Sequence, residues 1–131
     1  AVIGAPGESG VFSFAPAVQN HVMMRTNYAV YEAASGRPAS RHDDLMIIYG
    51  DVDTLKADYF DNEGHVIHYT VESKRANEVV FLATPTAKEP GYRLSYVLLP
   101  EGLLKGQFDV SPPGGHDAFK TYLTWSARRR R

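Results

Sequence analysis

No cysteine occurs in the 131 residues, which removes disulfides, thiolate catalysis, iron–sulfur clusters and Cys-type zinc sites together. Long hydrophobic runs are missing too. None approaches the ~18 residues that a transmembrane helix requires, so membrane insertion is not expected. No charged-then-apolar leader opens the chain, and the expected location is the cytoplasm. Charge of one sign is equally scarce: the formal net charge is −1. Four basic residues form the run Arg128 to Arg131, and the remaining ten against fifteen acidic ones leave the body at −5. An acidic body offers no footprint for nucleic acid, and the Arg run reads as a solvated terminus. There is no Gly-rich phosphate loop opening a helix and no Gly-x-Ser-x-Gly elbow, which argues against nucleotide binding and triad hydrolysis. Nor does any window of eleven or more residues space its apolar positions at i, i+3, i+4 and i+7.

What remains is β-structure. Residues 55–72 place two runs rich in Tyr, Phe, Val, Ile and Thr around Asp61-Asn62-Glu63-Gly64, a cluster of turn formers that predicts a hairpin. Similar runs at 11–14, 21–31, 44–49, 78–84, 92–99, 103–110 and 119–127 bring the expected total to about nine strands. Turn signals recur every 8 to 12 residues, as in antiparallel sandwiches and barrels. All eight prolines fall in proposed loops or turns, as an unbroken ladder requires. Gly106, inside a strand, signals a bulge or a close backbone approach. Short links favour an up-and-down meander, and a meander of eight or more twisted strands tends to close, which removes exposed edges and leaves room for one small guest. The expectation is a single all-β domain over residues 1–131, an antiparallel up-and-down β-barrel, with 1–10 and 128–131 loosely ordered.

Three stretches, HVMMRTNYAVY, HDDLMIIYGDVDTLKADYFDNEG and HDAFKTYLTWSARR, resemble the small bacterial lipocalin-like proteins grouped as a domain of unknown function. The likeness covers roughly residues 18 to 129. It implies a calycin-type barrel, related in shape to lipocalins and nitrobindin-like proteins, and its motifs are structural. Such barrels usually open with a Trp-x-Gly-x-Gly strand, and residues 1–10 contain no Trp. The first strand is therefore expected to be missing or degenerate. A missing strand would leave the barrel open or completed by a second copy in a homodimer.

Candidate site residues follow from strand alternation. Met23, Arg25, Asn27, Ala29 and Tyr31 share one face of their strand. If that face is inward, Arg25 is a buried cation awaiting an anion, either a ligand carboxylate or Asp58. Pairing Phe60 with His65 would put Lys56, Asp58 and Phe60 on the same face as His65, Ile67 and Tyr69. His65 and His68, three apart in a strand, point to opposite faces and cannot chelate one ion together, so no metal site is expected from them. His42-Asp43-Asp44 offers a His–carboxylate unit in which an Asp fixes the imidazole tautomer, or else a capped loop end. The Trp125 face of the last strand is expected to pack the core, with Tyr122 facing the other way.

Three functions fit these residues. The first is binding of a small apolar or amphipathic molecule, lined by Met23, Arg25, Asn27, Tyr31, Tyr59, Tyr96 and Tyr122. The second is a cofactor-free isomerase, cyclase or lyase, using His42, Asp58, His68 and Tyr69 as acid–base groups. The third is heme binding, with His116 or another loop histidine as axial ligand.

Overall fold

The structure, a computed structural model, describes residues 2–3, 8–116 and 118–129. These form ten strands: β1 (Val2–Ile3), β2 (Glu8–Ala17), β3 (Val22–Tyr31), β4 (Ser40–Asp51), β5 (Thr54–Asp61), β6 (Val66–Arg75), β7 (Glu78–Ala83), β8 (Gly91–Leu98), β9 (Leu103–Ser111) and β10 (Lys120–Arg128). A single 3₁₀ turn at Pro100–Gly102 is the one helical element among them, and no described helix is long and apolar enough to cross a membrane. From β2 to β10 every strand pairs antiparallel with its sequence neighbour, and β1 joins β2 to β10. The all-β antiparallel expectation thus holds, with nine long strands and the two-residue β1 in addition. Loose ordering was expected of 1–10 and 128–131. Residues 1, 4–7, 130 and 131 lie outside the described residues, whereas Val2–Ile3, 8–10 and Arg128 belong to strands.

β1 bridges the seam at only two positions on each side, Val2↔Gly10 and Ile3↔Ser9 with β2, and Val2↔Ala127 and Ile3↔Ser126 with β10. Beyond Gly10, β2 pairs with β3 alone. This explains a correction: Pro16 is not in a loop but within β2, opposite Met23. Proline lacks the N–H a ladder needs, and it is tolerated here because it sits on an edge.

The second correction concerns register. Phe60 pairs with Val66, and Asp58 with His68. The Asp61 carboxylate accepts the backbone N–H of Glu63 at 2.9 Å and of His65 at 3.0 Å, which keeps His65 in the turn and moves the first rung one residue onward. A one-residue slip exchanges the faces of a strand. Ala57, Tyr59, Ile67 and Tyr69 therefore point inward, and Asp58 and His68 outward.

One end of the interior is packed solid. Met46, Ala57, Tyr69, Phe81, Leu94 and Tyr96 form the buried cluster, with Tyr96 edge-on to Phe81 and to Trp125. The close approach at Gly106 is that of the Trp125 indole: a Cβ there would fall 2.2 Å from Trp125 Cε2. The bulge lies instead in β10, between Thr121 and Leu123.

Candidate binding cavity

Above this core the barrel is hollow. A cavity of about 590 Å³ opens at the end that carries the β3–β4, β5–β6, β7–β8 and β9–β10 links, since its rim is formed by Tyr31, His42, Glu63, His65, Tyr92 and Tyr122. A second depression, of about 520 Å³, lies over Val11, Tyr28, Leu45 and Phe60 and is the more open of the two. Even-numbered residues of β4 and odd-numbered residues of β3 and β5 face the cavity, because successive side chains alternate across a pleated strand.

The wall built by β3, β4 and β5 is polar and continuous. Arg25 Nη1 donates to Asp44 Oδ1 at 2.6 Å, and Asn27 Nδ2 donates to Asp44 Oδ2 at 2.8 Å. His42 Nε2 lies 3.1 Å from Asp44 Oδ2 and 3.2 Å from the Tyr59 hydroxyl. That hydroxyl gives its single proton to Asp61 Oδ2 at 3.0 Å. Both neighbours of His42 Nε2 are thus acceptors, so Nε2 carries a proton. Nδ1 faces Glu63 Oε1 at 3.7 Å. His65 Nδ1 closes the series, 3.0 Å from Asp61 Oδ2 and 3.7 Å from Glu63 Oε2.

Asp44 and Asp61 stand directly opposite each other on β4 and β5, an arrangement that repulsion disfavours. Each is held by different donors. Burial pushes the Asp61 carboxyl up, but the His65 and Glu63 amides, the His65 ring and the Tyr59 hydroxyl outweigh it and hold it below the usual carboxylate value. Burial raises Tyr59 and Tyr69 well above an ordinary phenol, so both remain hydrogen-bond donors at physiological pH. Burial also works against the charge on Arg25, but Tyr96 and Asp44 outweigh it and the guanidinium is held above its ordinary value. Arg25 Nε and the Tyr96 hydroxyl are enclosed without a well-formed hydrogen bond among the described residues, and the guanidinium lies 6.0 Å from the Tyr96 ring centroid.

The facing wall is apolar and aromatic. Phe12 from β2, Leu94 from β8, Phe108 from β9, and Leu123 and Trp125 from β10 line it. Tyr92 stacks on Phe108 at 5.8 Å, and Tyr122, carried on the bulge, meets the same ring edge-on at 6.3 Å.

The sequence-derived candidates divide accordingly. Arg25, Asn27, Tyr31, His42, Tyr59, Tyr69 and Tyr122 all line the cavity. Tyr96 does not; it is part of the packed core. Met23, opposite Ile48 near the far end of β3, is not among the lining residues either. Asp58 and His68 are corrected outright: they pair with each other at 2.7 Å on the outer face, where Tyr49 also donates to Asp58 at 3.1 Å. The anion that meets Arg25 is Asp44 rather than Asp58. His116 is exposed in the β9–β10 link and does not line the cavity. Asp61, Glu63 and His65 were missed, because turn chemistry alone accounts for DNEG in the sequence. The clue was a histidine directly after that turn, where the chain enters its next strand.

No family model matches the chain, and no curated protein or solved structure shows significant similarity to it.

Proposed function

We propose that this is a lipocalin-like, calycin-type barrel that binds one small amphipathic molecule. One observation carries the reading: the cavity has two unlike walls, a hydrogen-bonded polar seam on β3–β5 and an aromatic face on β8–β10. A packed core would exclude His42, Asp44 and Asp61, whereas a hollow one uses such groups to orient a guest whose apolar body lies on the rings. Because Arg25 is neutralised by Asp44, a simple fatty-acid carboxylate meets no unpaired guanidinium or ammonium among the described residues lining the cavity. The up-and-down pairing order supports the calycin-type assignment. The test is native mass spectrometry of the chain purified from its own host, with Nile red as a neutral probe. The expected result is a retained small molecule and saturable probe fluorescence that Leu123→Arg abolishes. Absence of a retained mass, with probe fluorescence unaffected by Leu123→Arg, would overturn the reading.

A second reading is proton transfer on the bound molecule without a cofactor. It is favoured by the orientation of His42, whose Nε2–H is held by Asp44 while Nδ1 turns toward the cavity mouth and Glu63. Tyr69 is the one other proposed acid–base group that faces the cavity. Turnover lost by about 10² or more in His42→Ala, with probe affinity kept, would select this reading.

A further inference from the structure

We propose that His42, Asp61, Glu63 and His65 form a site for one divalent first-row transition cation of the zinc class, at the mouth of the cavity. The site goes beyond the binding reading and stands whether or not an organic guest occupies the barrel. One ligand atom from each of His42, Asp61 and Glu63 lies within 4.8 Å of the others. His65 Nδ1 stands beside this set of three, 3.0 Å from Asp61 Oδ2 and 3.7 Å from Glu63 Oε2, and would enter it as a fourth donor on turning. Ligand atoms about 2.0 to 2.2 Å from a tetrahedral zinc are about 3.3 to 3.6 Å apart, so small side-chain rotations bring these groups into place. Glu63 and His65 are free to make them, being 62% and 59% exposed.

An independent feature points to a metal rather than to a mere ion-pair network. Metal-bound histidines almost always give their other ring N–H to a carboxylate, a backbone carbonyl or water, which fixes the tautomer. His42 is held in that way before any ion arrives: Nε2–H is given to Asp44, which Arg25 and Asn27 anchor in turn, and Nδ1 looks toward Glu63. His65 joins by carrying its proton on Nε2 in place of Nδ1. Charge agrees with this arrangement. Arg25 is committed to Asp44 and Arg41 to Asp43, and among the described residues Asp61 and Glu63 have ion-pair contacts with imidazoles alone. Mixed imidazole and carboxylate donors without sulfur suit zinc and its neighbours better than calcium or magnesium.

The test uses the full chain, stripped with chelator and titrated with Zn²⁺ by calorimetry and with Co²⁺ by visible absorption. The expected result is one equivalent bound, with d–d bands and a raised thermal midpoint. Glu63→Gln and His65→Ala are surface changes that leave the barrel intact, and each should weaken binding more than about tenfold. His42→Ala should remove the Co²⁺ bands, while His21→Ala, in the β2–β3 turn, should leave affinity unchanged. Absence of heat and bands would overturn the site, as would a loss seen in His68→Ala but not in Glu63→Gln. Nile red binding in the same samples separates this outcome from that of the cavity reading: the probe can be held with no metal bound, or the reverse.

Discussion

Arg25 and Asp44 neutralise each other inside the barrel, 2.6 Å apart, with side chains only 7% and 5% exposed. A closed pair of this kind is costly to form, because both ions leave water, and costlier still to break. Arg25→Met alone should lower the unfolding free energy by about 3 to 5 kcal/mol, by stranding a carboxylate. Asp44→Asn alone should have an effect of similar size. Arg25→Met with Asp44→Asn should be less harmful than the sum of the two, since the amide still accepts from Asn27 and His42. Urea denaturation followed by circular dichroism measures all three, and simple additivity would show that the two groups do not couple.

A second carboxylate contributes to stability toward acid. Asp109 is 2% exposed on the outer side of β9, where Arg93 Nε donates to it at 3.0 Å and Gln107 Nε2 at 2.9 Å. Burial raises its pKa, but the Gln107 and Arg93 bonds outweigh this, and the net shift is downward. A carboxyl lowered on folding stabilises the native state fully above its unfolded value, about 3.9, and that contribution fades as pH falls through the folded value. Melting temperatures between pH 2 and 6 should therefore drop toward acid in the parent and change less steeply in Asp109→Asn. Parallel curves would refute this.

Gly106 and Trp125 make a tight fit that a single methyl should spoil. A Cβ at Gly106 would enter the indole, and Gly106→Ala should cost about 1 to 3 kcal/mol through forced displacement of the ring. Trp125 is the only tryptophan, so its emission maximum reports the change directly. Unaltered emission together with unaltered stability would show that the ring does not rest there.

At the closed end of the barrel, Val52 holds φ of 57° in the two-residue β4–β5 turn and is 96% exposed. A β-branched residue is strained in the left-handed region, which Asn tolerates. Val52→Asn should raise stability by about 0.5 to 1 kcal/mol, with no change in probe or metal binding. A lower melting temperature would count against the turn as described.

The alternation of β3 was readable from its two-residue period, but which face turns inward was not, since Arg25, Asn27, Ala29 and Tyr31 mix polar and apolar groups much as their neighbours do. The hairpin was readable as a hairpin, though not in register. Asp61 spends one carboxylate oxygen on two backbone amides, and no pattern of apolar residues reveals that a side chain has lengthened a turn by one. The Phe60–His65 pairing expected from the sequence put Asp58 and His68 on opposite faces, whereas they are partners on the same outer face. Asp44 was visible beside His42, but its bond to Arg25 spans 19 residues, and a strand's period does not say which neighbour it will meet. Pro16 misled in the opposite sense: proline argues against a central strand, and nothing local distinguishes the rim of a sheet from its middle.

The two-residue span of β1 gives this container a fastening. Detaching those rungs parts the wall lengthwise while every other hairpin keeps its pairing. A guest broader than the mouth is expected to enter along this line, and amide exchange at the rung residues 9–10 and 126–127 measures how often the fastening opens.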